Sequence, residues 1–143
     1  MTLYSPQSKL AAYRSVSAHG AVADADPHAL VLTLFNAALE RIAAARACIE
    51  RGETVRKAAL LHSAAILIAE LRGSLDMAKG GPLAQNLSAL YGYMTRRLIH
   101  ANLNSDAQAA AEVLGLLGEI RGAWAAIGPE VRHQPAPRAT SAA

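Results

Sequence analysis

Apolar residues recur at alternating three- and four-residue steps along most of the chain, from Val31 to Ile127. On a helix this spacing collects them on one face, so the pattern predicts amphipathic helices. The predicted helices cover residues 27–51, 54–79, 83–102 and 106–127. Helices of roughly 20 residues with short connections favour antiparallel neighbours. We therefore predict an all-α fold, an antiparallel four-helix bundle over residues 26–128.

Capping residues set the predicted helix ends. Asp26 followed by Pro27 starts the first helix, because proline lacks only an N–H that would be unpaired there anyway. Gly52 supplies a left-handed stop. The Gly-Gly-Pro sequence at residues 80–82 predicts a sharp turn between the second and third helices. Ser105, with a glutamine three residues later, predicts a capping box that opens the fourth helix.

The two chain ends lack the regular pattern of the bundle. Residues 1–25 carry Leu10 and Tyr13 in a segment that is too apolar to extend freely into water, so we expect it to pack on the bundle as a cap or short helix. Residues 129–143 mix Pro, Ala, Arg, Ser and Thr without periodicity. They predict a disordered C-terminal tail.

Composition supports a helical protein of one domain. The chain has 143 residues, of which 52% are hydrophobic, and many of these are alanine, the residue with the highest helix propensity. The formal charge of +3 is small, and the basic residues are scattered along the sequence. We therefore predict no nucleic-acid partner.

The chain has no sequence feature of secretion or membrane insertion. Cys48 is the single cysteine, which excludes an internal disulfide and fits a reducing compartment. Residues 1–10 contain no apolar segment of the kind found in signal peptides. The apolar run from Ala58 to Ala69 is shorter than the roughly 20 residues of a membrane-spanning helix. We expect a soluble, cytoplasmic protein.

The titratable residues do not form a catalytic or metal-binding pattern. The sequence has no Glu-x-x-His pair of the di-iron bundles and no zinc-ligand spacing among its five histidines. It also lacks a phosphate-binding glycine loop. His62 and His100 are more simply explained as imidazoles at the bundle surface. We predict no enzyme activity, no cofactor and no metal; a metal or an absorbing cofactor in the purified protein would favour the rival reading, a cofactor-binding bundle.

Residues 85–104 form the most distinctive helix. Tyr91 and Tyr93 lie about 200° apart on a helix, so one can enter the core while the other faces outward. We predict that Tyr93 contacts a partner, since tyrosine offers a large rigid surface with a polar tip. The nearby Arg96 and Arg97 are interpreted as part of a solvated face, and Trp124 on the fourth helix as a core residue.

These motifs resemble a known family. The run from Asn86 to Met94 (Asn-Leu-Ser-Ala-Leu-Tyr-Gly-Tyr-Met) is followed by Ala101-Asn102 and by Glu-Ile-Arg-Gly-Ala-Trp ending at Trp124. With the upstream segments 30–35 and 71–76, this ordered set closely resembles the FliS family of flagellar export chaperones. The resemblance covers about residues 10–127.

The resemblance implies a function in the cytoplasm. Members of this family are antiparallel helical bundles that bind the C-terminal segment of flagellin, prevent its premature polymerisation and assist its delivery to the flagellar type III export apparatus. An export-gate component is a further implied partner. The alternative is a regulatory bundle that binds another flagellar protein through the same surface.

The resemblance also implies which residues contact the client. They are Ile66, Leu71 and Leu75 on the second helix, Asn86, Leu90, Tyr93 and Arg97 on the third, and Ala101 and Asn102 at its end. Leu10 and Tyr13 would cap the groove, and displacing them would permit weak self-association. Asn36 departs from the family pattern, because many relatives carry an acidic residue there and are acidic overall.

Overall fold

The described part of the chain, residues 26–133 of a computed structural model, is a ring of four helices. They are α1 (Pro27–Arg51), α2 (Thr54–Gly73), α3 (Met77–Asn104) and α4 (Ala107–His133). α1 packs on α2 and α4, and α3 packs on the same two neighbours from the opposite side. The predicted antiparallel four-helix bundle is confirmed. The predicted cap (residues 1–25) and most of the predicted tail lie outside the described residues.

α1 begins and ends at the residues that the capping pattern indicates. The Asp26 side chain accepts a hydrogen bond from the backbone N–H of His28 at 3.0 Å, and Pro27 occupies the first turn. Gly52 has φ 75° and donates its N–H to the carbonyl of Ile49 at 3.2 Å. Both ends therefore follow from local chemistry alone.

The corner between α2 and α3 differs from the prediction. α2 ends at Gly73, not at residue 79. Ser74 caps this end, because its backbone N–H donates to the carbonyls of the last turn. Asp76 then caps α3 by accepting a backbone hydrogen bond at 2.9 Å, so α3 starts at residue 77, not 83. The Gly-Gly-Pro sequence is a kink inside α3, where Gly81 has φ 54° and ψ −136°. Asp76 accepts a backbone N–H in the first turn of α3, so α3 begins before the glycines. The glycines therefore do not form the connection between α2 and α3.

The corner between α3 and α4 also has a different cap. Ser105 lies in the left-handed region with φ 48° and ends α3 by donating its N–H to the carbonyl of Ala101. Asp106 opens α4, because its carboxylate accepts the N–H groups of Gln108 at 3.0 Å and Ala109 at 3.2 Å. The predicted Ser105 capping box is therefore wrong. A carboxylate at the helix start is favoured by the helix dipole as well as by hydrogen bonding.

Lys57 on α2 forms hydrogen bonds to the corner between α3 and α4. Its side chain is buried, and its ammonium group donates to the carbonyl of Asn102 and to the hydroxyl of Ser105, both at 2.9 Å. A buried ammonium group is tolerated only when its protons are hydrogen-bonded. Lys57 thus satisfies carbonyl and hydroxyl acceptors at the C-terminus of α3 and holds that end against α2.

The core is formed by one apolar seam from each helix. Its fully buried large side chains are Phe35, Ile42, Ile68, Leu71, Met94, Leu98, Val113 and Leu117. Each such side chain stabilises the fold by about 1.5–3 kcal/mol relative to its exposed state. Ile127, which the sequence pattern placed in the seam, is 41% exposed at the end of the bundle.

α4 continues past the predicted stop. The helix extends to His133, so residues 129–133 are helical and the predicted tail starts too early. A proline removes one hydrogen bond from a helix but does not always end it, and the preceding helix here is long and well packed.

His28 and Trp124 join the start of α1 to the C-terminal half of α4. Their rings stack with centroids 4.7 Å apart at an interplanar angle of 13°. The Trp124 Nε1–H donates to the His28 carbonyl at 3.0 Å, and His28 Nε2 contacts the Trp124 carbonyl at 2.7 Å. Because a carbonyl can only accept, Nε2 carries the proton. Gly128 is required beside them, since a Cβ at that position would overlap the His28 ring. Trp124 is half-buried at the margin of the core.

α1 is the one described helix that is long and apolar enough to cross a membrane by length and composition, with a mean hydropathy of 1.2. Its apolar side chains, however, are used inside the protein. Phe35 and Ile42 are 2% and 0% exposed in the bundle core, while Glu40 and Arg46 face solvent. α1 is therefore an amphipathic core helix.

Candidate partner-binding surface

α2 and α3 present two facing rows of side chains with the same spacing of four, three, four and three residues. The row on α2 is Ala58, His62, Ala65, Ala69 and Arg72, and the row on α3 is Ser88, Gly92, Thr95, Ile99 and Asn102. Residues at such steps lie along one face of a helix. The rows run antiparallel, since Arg72 meets Ser88 at one end while Ala58 and Asn102 line the same cavity at the other. We call the space between these rows the α2/α3 groove.

The groove is open because small residues form much of its α2 side. A cavity of about 220 Å³ lies between the helices, floored by the core residues Leu61 and Leu98. Its polar groups are few and lie among apolar surface, as is typical of sites that bind apolar segments. They are the side chains of His62, Thr95 and Asn102.

Large apolar side chains project beside this groove. Ile99 lines it and is 53% exposed, and Leu103 one turn further on is 77% exposed. Val55, one turn before Ala58 on α2, is 85% exposed. Single exposed apolar residues are common, but these three lie at one end of one groove, and such a grouping is typical of an interaction surface.

The other end of the groove is closed by Arg72. Its Nε–H donates to the Ser88 hydroxyl at 2.8 Å, and its guanidinium lies directly over the backbone of Gly92. A Cβ on Gly92 would come within 3.2 Å of Nη1, closer than ordinary contact distance. The glycine thus gives the guanidinium room to lie against α3.

The segment that forms α2 and α3 has a net positive charge. Between Thr54 and Asn104 the sequence contains six Lys and Arg residues but two Asp and Glu residues, Glu70 and Asp76. The segment therefore has a net charge of +4, more than the +3 of the whole chain. Glu70 is buried and Asp76 caps α3, so neither adds an exposed carboxylate to the rows of the groove.

A polar cluster lies on the opposite flank of α3, against α4. The Tyr93 hydroxyl donates to Glu112 Oε2 at 2.5 Å, and the Arg97 Nε–H donates to Glu112 Oε1 at 2.9 Å. These two bonds lower the pKa of Glu112, with that from Tyr93 the larger cause. The same tyrosine bond, followed by desolvation, raises the pKa of Tyr93. The cluster joins α3 to α4 and satisfies both oxygens of Glu112.

A second, more open groove lies between α1 and α4 on the far side of the bundle. It has a volume of about 640 Å³ and is lined by Thr33, Asn36, Ala37, Leu39, Glu40, Ala43 and Leu114. Asn36 accepts a hydrogen bond from Arg121 at 2.7 Å beside it. Its wall carries an exposed acidic residue, Glu40, in contrast to the α2/α3 groove.

Among the side chains that the structure describes, in residues 26–128, His, Cys, Asp and Glu form no group of three or more that could hold a metal ion. Cys48 is buried, and its thiol donates to Glu53 Oε1 at 3.4 Å. His100 contacts Asp106 and Asn104, both at 3.1 Å, at the corner before α4. These polar side chains therefore form hydrogen bonds at helix ends and at the corners between helices.

Known proteins are similar to this sequence over most of its length. The family described as flagellar protein FliS matches residues 9–131. The chain belongs to the FliS family. The flagellar secretion chaperone FliS of Salmonella typhimurium is 45% identical over 128 residues, which make up 89% of this chain and 95% of the relative.

More distant FliS proteins extend the comparison. The flagellar secretion chaperone FliSB of Pseudomonas aeruginosa is 42% identical over 112 residues, covering 78% of this chain and 89% of the relative. FliS of Bacillus subtilis is 37% identical over 100 residues, covering 70% and 74%. The resemblance inferred from the motifs is confirmed.

The structure separates the client residues implied by the FliS resemblance into several environments. Leu71 and Ala101 are 1% and 0% exposed in the core, so their side chains are not accessible to a client in this conformation. Asn102 lines the α2/α3 groove, and Ile66, half-buried, lies one turn from its wall residue His62. Neither of the two core residues lines the cavity of the groove.

The remaining implied residues lie elsewhere. Tyr93 and Arg97 are on the α4 flank of α3, bonded to Glu112. Leu75 and Leu90 are half-buried against the core, and Asn86 is exposed. Leu10 and Tyr13 lie outside the described residues. As expected, Tyr91 enters the core, where burial raises its pKa to about 12, while Tyr93 is only half-buried.

The sequence interpretation did not single out Arg72 and Gly92 as residues that border this groove. The signal was present in the matching steps of small residues on the second and third helices, at Ala58, Ala65 and Ala69 and at Gly92. Small residues at helical spacing, however, also occur wherever two helices pack closely. Only the position of the two helices side by side shows that these residues border a groove.

Glu112→Gln should remove a pH-dependent part of the stability. Because the pKa of Glu112 is lowered in the folded state, its contribution is present above its unfolded pKa of about 4.3 and is lost as pH falls through the folded pKa. We expect the variant to be less stable than the parent at pH 7 and the difference to shrink near pH 3, measured by urea unfolding. Glu119→Gln, at an exposed carboxylate on the same helix, is the control. A difference that is the same at both pH values would contradict the role assigned to Glu112.

Proposed function

We propose that this protein is a cytoplasmic export chaperone that binds the C-terminal segment of flagellin. The observation that carries the proposal is the α2/α3 groove, with exposed apolar side chains at one end and a fixed guanidinium at the other, in a chain of the FliS family. The names of its relatives describe flagellar secretion chaperones. Such a role requires a surface that binds another chain, not a catalytic centre or a cofactor.

The dimensions of the groove suit a helical segment. The 14 steps from Ala58 to Arg72 span about 21 Å at 1.5 Å per residue, so about four helical turns of a client fit along it. An amphipathic client helix would place its apolar stripe against Ile99, the small residues of the α2 side and the floor of the groove. The client buries apolar area there while losing conformational entropy as it folds.

Occupation of the groove would account for both parts of the chaperone role. A segment held on the bundle is unavailable for contacts with other flagellin molecules, which prevents premature polymerisation. Because the client folds only on binding, its release leaves an unfolded segment suited to the type III export apparatus. Coupled folding lowers affinity for a given buried area, so the complex can dissociate at the export gate.

Removing the C-terminal segment of flagellin should abolish binding. Full-length flagellin from the same bacterium should bind about one to one, with a clearly negative heat-capacity change because apolar surface is buried. Isothermal titration calorimetry at several temperatures measures both quantities. Flagellin truncated at its N-terminus by a similar length is the matched control and should bind normally. Unchanged affinity for the C-terminally truncated client would contradict the proposed function.

A further inference from the structure

We propose that Arg72 is a specificity-determining residue of the α2/α3 groove. Its guanidinium binds a carboxylate of an acidic, amphipathic client helix. The proposal rests on the proposed function and names the chemistry that the groove selects. The Arg72 guanidinium extends away from its own helix and lies on α3.

Arg72 is not needed to cap α2, although it lies in the last turn of that helix. Basic side chains in this position often bond the final carbonyls of their own helix. Here the backbone N–H of Ser74 reaches the carbonyls of Glu70 and Leu71, at 3.0 and 3.2 Å, and the N–H of Leu75 reaches that of Arg72 at 3.2 Å. The carbonyls of the last turn thus have partners from the connection that follows.

The guanidinium is instead held in place for an external ligand. Ser88 fixes Nε, and Gly92 allows the planar group to lie against the α3 backbone. Within residues 26–128 no carboxylate pairs with Arg72, whereas Arg97 is paired with Glu112. Nη1 and Nη2 can therefore both donate to one carboxylate, the planar bidentate geometry that arginine favours.

Charge indicates the chemistry of the occupant. The two rows of the groove contain Arg72 and no acidic residue, so the formal charge of the rows is positive. An acidic client would be steered to this face, while a basic one would be repelled. The apolar residues Ile99 and Leu103 at the opposite end require that the same client also carries an apolar stripe. A helix with apolar residues and one carboxylate near the Arg72 end meets both conditions.

Gly92→Ala distinguishes this role from a structural one. Alanine is the better helix residue, so the variant should unfold at the same or a higher temperature. Its Cβ, however, would lie 3.2 Å from Nη1, so the guanidinium would have to shift by a few tenths of an ångström away from α3. We expect about threefold weaker binding of a synthetic peptide of the flagellin C-terminal segment, measured with the full-length chaperone. Higher stability together with weaker binding does not follow from a packing defect.

Arg72→Gln should weaken binding of the same peptide about tenfold, mainly through faster dissociation. Arg72→Lys retains the charge but loses the planar fork, and should recover only part of the affinity. Arg46→Gln, on the outer face of α1, removes the same charge far from the groove and should change affinity by less than about twofold.

A set of peptides in which each Asp or Glu is changed in turn to Asn or Gln identifies the partner carboxylate. For one of these peptides, Arg72→Gln should cause no further loss, the sign of a direct pair in a double-mutant cycle. The inference is overturned if Arg72→Gln costs the same affinity for every peptide, or no more than Arg46→Gln. It is also overturned if a short fluorescent RNA binds this face in an Arg72-dependent way while peptide binding does not depend on Arg72.

Failure of this inference can be told apart from failure of the proposed function. If the flagellin peptide does not bind the parent protein at all, the proposed function fails. If it binds normally and is insensitive to Arg72→Gln and Gly92→Ala, the groove residue is misassigned while the chaperone role stands.

Discussion

Ala65→Trp should weaken flagellin binding by at least about 100-fold, equivalent to about 2.8 kcal/mol. Ala65 lines the α2/α3 groove beside Leu61 and Leu98, and a tryptophan there would fill the cavity of about 220 Å³ between the helices. The client helix could then no longer bury its apolar stripe against the floor. Because the side chain enters an open groove and not a packed core, we expect the fold to tolerate the change.

The control for this prediction is Ala43→Trp. Ala43 lines the groove between α1 and α4, on the opposite side of the bundle, and it is exposed. The same substitution there adds the same apolar surface, so it tests for nonspecific effects of tryptophan. Fluorescence anisotropy with labelled client peptide measures both variants, after thermal unfolding has shown that each is folded. Strong binding by Ala65→Trp would exclude the α2/α3 groove as the client surface.

Trp124→Ala should destabilise the bundle by about 3 kcal/mol, near the lower end of values for large aromatic truncations because the ring is only half-buried. The substitution removes the stack on His28 and the hydrogen bond from Nε1 to the His28 carbonyl. It also removes apolar contact at the margin of the core. Urea unfolding gives the free-energy difference directly, and the melting temperature should fall by about 10 °C.

Two further variants test the same contact from both sides. Trp124→Phe keeps an aromatic ring but loses the Nε1 donor, so we expect a smaller loss of about 1 kcal/mol from the hydrogen bond. Gly128→Ala should destabilise the protein, because the new Cβ would overlap the His28 ring. Gly122→Ala on the same helix meets no atom within 4 Å and should stabilise it by up to about 1 kcal/mol. If Trp124→Ala left stability unchanged but abolished flagellin binding, Trp124 would belong to the client surface.

Features that depend on neighbouring residues in the chain were predictable from the sequence. The ends of α1 follow from an aspartate cap, a proline and a glycine, each of which acts within one helical turn. The apolar seams follow from helical periodicity, and Phe35, Ile68 and Leu117 are buried as expected. The family was recognisable for the same reason, since the order and spacing of motifs need no tertiary information.

Competing local signals were less predictable. The sequence offers both Asp76 and the Gly-Gly-Pro run as boundaries between α2 and α3, and both Ser105 and Asp106 as caps of α4. In each case the carboxylate opens the helix, because it accepts backbone N–H groups that would otherwise have no partner in the first turn. Packing of α3 on α2 and α4 then allows the helix to continue through the kink at Gly81.

The composition of the binding surface depends on which helices are neighbours. Leu71 and Arg72 are adjacent in sequence, yet one is buried in the core and the other lies on α3, because successive residues on a helix point about 100° apart. Among the basic residues of α2 and α3, Arg72 lies beside the groove, whereas Lys57 is buried and Arg97 is paired with Glu112 on the α4 flank. Local sequence chemistry thus specifies where the helices form and which faces are apolar. The pairing of helices, which arises from burying those faces together, specifies which residues remain at the surface to form a groove.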